Sequence, residues 1–211
     1  MEKETWALLG AATAVAVPLV YNTLKEAVFE FKKKKREENY IIIQLIFVLD
    51  KYIAECEFLS RNDGIYNPET EQVEMAYKSP VLNLSSVKGE YKYLSIPILY
   101  KLHSIETKHA QVRNTLTTLD DSYYEDAPDF DAYYAKRREL YAYHGLHVIE
   151  LSEEICRQFK IKHSSWEGGF NPAESIRERI VKIRAAKSAT MLRRMENRAK
   201  RIAGRNRSTT P

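Results

Sequence analysis

Two groups of side chains carry the spacing that a helical metal site would use. His103, Glu106 and His109 stand three apart, as do His144, His147 and Glu150. On a helix this places imidazole and carboxylate side by side on one face. Glu106-x-x-His109 also has the spacing found in carboxylate-bridged di-iron bundles, but such a site needs a second pair of the same kind, and the sequence holds none. His109 and His144 fall within apolar repeats, where a histidine hydrogen-bonded to a neighbour is the commoner arrangement. The expectation is therefore no metal and no cofactor, with His103, Glu106, His109, His144 and His147 as the ligand set if a metal were held.

Arg138 and His144 are separated by five residues on a segment with helical periodicity. This spacing resembles the R-x4–6-H pattern of the HEPN ribonucleases. The resemblance covers these two residues, and Arg137–His144 and Arg157–His163 fit it as well. It implies a helical bundle that binds or cleaves RNA at a dimer interface, with Arg138 and His144 acting on the RNA. No nucleotide-binding glycine loop, nucleophile elbow or zinc-protease signature occurs in the chain. Cys56 and Cys156 are too few for a disulfide scaffold or an all-cysteine zinc site, and read as buried thiols behaving as small hydrophobes.

The elements that must position these residues are helices. The chain has 211 residues, 44% of them hydrophobic, with seven glycines and seven prolines, a composition that fits one helical domain with appendages. Residues 5 to 24 carry no charge. As a helix they reach ~30 Å, about one hydrocarbon core, so residues 1–24 read as a short N-terminus and a transmembrane anchor. A cleaved signal peptide fits less well, because the leader is Met-Glu-Lys-Glu and the apolar run is long. Lys25, Lys32, Lys33, Lys34, Lys35 and Arg36 follow the span, against Lys3 before it. Basic residues resist translocation, so the body is expected on the cytoplasmic side of a single-pass membrane protein.

Residues 25–39 read as a basic, charged helical stalk continuous with the span, and residues 40–170 as a cytoplasmic bundle. Ile42, Leu45, Leu49, Tyr52, Cys56 and Leu59 repeat at three and four, as do Ile98, Leu102, Ile105, His109, Val112, Leu116 and Leu119. A third seam runs Phe130, Tyr134, Arg137, Tyr141, His144, Val148, Leu151, Ile155. Such heptad stripes are core-facing seams, and they can also pair between chains. Ser95, with Pro97 in the first turn, marks one helix start. Asn171-Pro172-Ala173-Glu174 marks another, with a capping-box-like pattern. Between residues 62 and 94 only short helical turns are expected, one of them starting at Asn67-Pro68-Glu69. The fold class is all-α: a transmembrane helix continuing into an antiparallel three- to four-helix bundle with a basic C-terminal helix.

Charge is uneven. Residues 171–211, the C-terminal helix and tail, hold nine Arg and three Lys against three Glu, so the remainder of a chain of net charge +4 is acidic. Arg184, Lys187, Arg193, Arg194, Arg198, Lys200 and Arg201 are the candidate binding residues. If successive helices alternate away from and toward the membrane, this tail returns to the bilayer. There it would meet anionic lipid headgroups or the acidic linker Asp120–Asp131, with an acidic protein partner or nucleic acid as further options. The function expected is binding, as a scaffold, adaptor or sensor anchored in the lipid bilayer, and not catalysis.

Overall fold

A computed structural model describes residues 2–62, 64–69, 72–75, 77–123, 130–162, 166 and 169–207, with side chains for 19–62, 64–69, 75, 77–119, 133–162, 166 and 169–200. Four helices dominate: α1 (Glu2–Asn62), α2 (Ile96–Tyr123), α3 (Phe130–Gln158) and α4 (Pro172–Arg207). Between α1 and α2 lie a two-stranded antiparallel hairpin, β1 (Ile65–Asn67) and β2 (Gln72–Glu74), and two single 3-10 turns, Leu84–Ser86 and Tyr91–Tyr93.

The seams form the core. Ile42, Leu45, Leu49, Tyr52, Cys56 and Leu59 of α1 are buried, with Ile98, Leu102, Ile105, Val112 and Leu116 of α2 and Tyr141, Val148, Leu151 and Ile155 of α3. Helix α3 is central and packs on the other three. At its middle, Gly145 leaves no room for a side chain: a Cβ there would lie 2.8 Å from Ile176 Cδ1 and 3.0 Å from Cys56 Cβ. The missing side chain lets α1, α3 and α4 converge at one point.

The strand-and-turn segment corrects the expected topology. It runs the length of the bundle, from Gly64 beside Tyr134, past Tyr77 at Arg137 and Val81 at Glu55, to Lys88 at Gln44 and Gly89 against Ile41. The return stroke assigned to the second helix is made by this extended strap, and α2 starts again from the end where α1 enters. Helices α1 and α2 are therefore parallel, and both are antiparallel to α3: Asp50 meets Ser152 while Cys56 meets Gly145, and Lys101 bonds Glu154 while His109 meets His144. The expected helix at Asn67-Pro68-Glu69 is a hairpin turn, in which Asn67 Oδ1 accepts the Glu69 N–H at 2.9 Å, an Asx turn that competes with a helical start.

Both helix starts fall where the sequence places them. Asn171 Oδ1 accepts the N–H groups of Ala173 (3.0 Å) and Glu174 (3.2 Å), capping α4. Ser95 precedes α2, but its hydroxyl is buried without a hydrogen-bond partner among the described residues. Pro97 has removed one of the two N–H groups that such a cap reaches.

Two helices outrun the bundle. The described side chains of α1 before Glu37 are all exposed, as are those of α4 from Arg184 to Lys200. Among the described residues no helix is long and apolar enough to cross a membrane. The side chains of residues 1–18, most of the expected span, lie outside them, as do those of Asp120–Asp131 and Arg201.

Gly64 adopts φ +78°, and a Cβ there would lie 2.8 Å from Tyr134 Cγ. Gly64→Ala is expected to cost roughly 2–4 kcal/mol, from the left-handed backbone and from overpacking together. The shift in urea midpoint of the purified chain measures it.

Candidate functional site

The interior holds six buried polar or charged residues among those described: Asp50, Glu57 and Ser60 on α1, and Arg137, His144 and Ser152 on α3. Every described member of the α3 seam is buried, and two of them, Arg137 and His144, are polar. Arg137 is 0% exposed, and its guanidinium donates to Tyr77 O at 2.8 Å and to Ser79 Oγ at 3.3 Å. A buried charge needs such partners. Arg137 thus fastens the strap to α3.

Two helical turns toward the α3 C-terminus, His144 is 2% exposed, with neither ring nitrogen hydrogen-bonded among the described residues. Its ring lies 5.5 Å from that of Tyr52 in an edge-on contact and 5.6 Å from that of His109. Tyr52 and His109 share a hydrogen bond of 2.8 Å between the hydroxyl and Nδ1. Burial is the main force on all three groups. It pushes the His144 imidazole down to about 3, helped by His109, His147 and Lys108. It also lowers His109, with Arg113 adding to the effect, and raises the Tyr52 hydroxyl and the Cys56 thiol. The centre is a neutral aromatic and imidazole contact joining α1, α2 and α3.

Of the candidate metal ligands the fold brings together His109 and His144 in the core and His103 and Glu106 on the surface, as two separate pairs. His103 turns outward to pair with Glu106 (3.2 Å), and His147 turns outward to pair with Glu150 (3.5 Å). Among the described residues no three His, Cys, Asp or Glu side chains converge as a metal site. Arg138 is half-buried, whereas the histidine paired with it in the ribonuclease-like pattern is enclosed by Tyr52 and His109. A phosphate would have to enter the core to reach that imidazole. Cys56 and Cys156 are free and buried, at different levels of the bundle.

Sequence reasoning missed three polar anchors. Gln44 forms a two-point bond with Lys88, its Nε2 donating to Lys88 O (2.9 Å) and its Oε1 accepting from Lys88 N (3.0 Å). Buried Glu57 accepts a hydrogen bond from Ser175 Oγ at 2.7 Å and pairs with Arg61 at 3.4 Å. Asp50, also buried, accepts from Ser152 Oγ at 3.3 Å. The available signal was a polar residue interrupting an apolar run, as Gln44 interrupts Tyr40–Leu49.

The charged surfaces lie at the two ends. Lys25, Lys32, Lys33, Lys34, Lys35 and Arg36 ring the exposed part of α1. Arg184, Lys187, Arg193, Arg194, Arg198 and Lys200 ring the exposed part of α4, with Arg184 over the Tyr143 ring and Lys187 bonded to Glu139 at 2.5 Å. Glu139 belongs to the half of α3 that adjoins the α1 C-terminus, so the two basic segments leave opposite ends of the bundle. The expectation that the tail returns beside the anchor is therefore corrected: the strap takes up one crossing and reverses every later helix. Helix α4 does leave at the end where α2 stops and α3 begins, the two ends that the acidic linker joins.

Comparison with known proteins gives no match: no family model, no curated protein and no solved structure matches the chain.

His144 is neutral when folded and titrates near 6.5 when unfolded, so the unfolded chain binds the extra proton between about pH 6.5 and 3. Its contribution to stability is intact above that window and falls with decreasing pH inside it, by about 1.4 kcal/mol per unit at most. His144→Leu is expected to flatten the acid limb of a stability–pH profile by that slope, and an unchanged limb would contradict the assignment.

Proposed function

We propose that this chain is a single-pass membrane protein whose helical bundle stands off the cytoplasmic face of the bilayer and acts by binding, as a scaffold or adaptor. What carries the reading is the run of residues 5 to 24 without a charge, followed by Lys25 and the cluster Lys32–Arg36, all on one continuous helix of 61 residues. Such a helix is a rigid post. From Leu24 to Ile41, where burial begins, it extends ~25 Å, enough to hold the bundle clear of lipid headgroups. The core supports a binding role, because its polar groups are used in fastening α1, α2, α3 and the strap together. Anionic lipid headgroups and acidic protein surfaces are the partners suited to the basic segments.

Alkaline carbonate extraction of cell membranes tests the anchor. The full chain is expected in the pellet, and Val15→Arg with Val17→Arg is expected to release it, since each arginine at mid-span costs about 2.5–3.5 kcal/mol of insertion. Recovery of the unaltered chain in the supernatant would refute the reading.

A further inference from the structure

The second half of α4 has two faces. Val181, Ala185, Ser188, Leu192, Met195 and Ala199 recur at intervals of four and three, which places them on one stripe, with Met191 at its edge. None of this stripe is covered: Val181, Met191, Leu192 and Met195 are 65%, 64%, 61% and 59% exposed. Lys182, Arg193, Arg194, Arg198 and Lys200 occupy the rest of the circumference, with Glu196 the one acid between Arg184 and Lys200. The residues that do pack on the bundle, Ala173, Ile176 and Ile180, follow a different line and stop before Arg184. Beyond Lys187 the described side chains, Ser188 to Lys200, are all exposed, and so short a stretch of helix with no packing of its own is marginal in water, so a surface that covers the stripe stabilises it.

Three surfaces compete, and the two faces choose among them. Nucleic acid would answer the bases but leave Leu192, Met191 and Met195 in water. A second copy of the helix would cover the stripe, but only by bringing two strongly basic segments together. An anionic lipid surface answers both, taking the apolar stripe into the headgroup boundary and the bases among the phosphates.

We infer that residues 181–200 of α4 bind an anionic membrane surface, and that this surface is a second membrane, apposed to the one holding α1. The inference rests on the anchored reading given above. The bundle sets the geometry: among the described residues the last contacts of α4 are those of Arg184 and Lys187 with Tyr143 and Glu139, at the end opposite Ile41. Stalk and bundle together place the start of the segment roughly 45–50 Å from Leu24, several times the ~8 Å over which surface charge is felt in physiological salt. The anchoring bilayer is out of its reach, and the chain becomes a tether.

The test reconstitutes the full chain in neutral phosphatidylcholine vesicles and mixes them with dye-labelled vesicles of phosphatidylcholine and phosphatidylserine. Flotation of the chain with the neutral vesicles reports the anchor, and co-flotation of dye reports the bridge. Dye capture is expected. It should fall at least about tenfold with Arg193→Glu, Arg194→Glu and Arg198→Glu together, and comparably with Leu192→Ser and Met195→Ser. Anchoring without capture, capture of neutral dye-labelled vesicles to the same extent, or capture indifferent to these variants would each overturn the inference while leaving the anchored reading in place. The same holds if DNA or RNA displaces the labelled vesicles, or if the chains cross-link through α4. Failure to float with neutral vesicles refutes the anchor and the bridge together, whatever α4 binds.

Discussion

A strap pinned at both ends decides the shape of this molecule. At one end the buried guanidinium of Arg137 holds Tyr77 and Ser79; at the other the Gln44 amide closes a two-point bond with the backbone of Lys88. Between these points the chain runs beside α1 with a single 3-10 turn at Leu84–Ser86, packing Leu84 and Val87 into the core. Because the strap crosses the bundle, α2 begins where α1 entered, and each later helix is reversed relative to a simple up-and-down arrangement. The two projecting basic helices are thereby sent to opposite poles.

The interior shows how such a bundle tolerates polar groups. Arg137, Asp50 and Glu57 are charged or chargeable and enclosed, and each has a partner on another element. His144 is enclosed too, but it stays neutral because desolvation disfavours the imidazolium, with His109, His147 and Lys108 acting in the same direction. The same burial that makes this histidine useful for packing against Tyr52 and His109 unsuits it for exchanging protons with solvent at neutral pH.

Much of the helical scaffold was legible in the sequence. The α1 and α3 seams emerge buried residue for residue where side chains are described, because a stripe at 3.6-residue spacing has only one way to face a core. Asn171 announced the start of α4 by its position before Pro172. The strap was not legible, since an extended segment that buries every few residues against helices has no period to detect. Without it the relative directions of the helices could not be derived, and the tail was placed at the wrong pole. In the sequence, Met191, Met195 and Ala199 of α4 read as a weakening continuation of the line of Ile176, Ile180 and Ile183; small residues such as Ala185 and Ser188 dilute the separate stripe from Val181 to Ala199, and only its exposure sets it apart from that packing line.

The opposition of the two basic segments is accessible to pulsed electron–electron double resonance on the purified chain. Cys56 and Cys156 are buried, so labels would go on cysteines introduced at Lys34 and Arg193. With the helices projecting from opposite ends, the axial separation comes to roughly 50 Å. A distribution centred below about 25 Å would place both segments at one end and contradict the account.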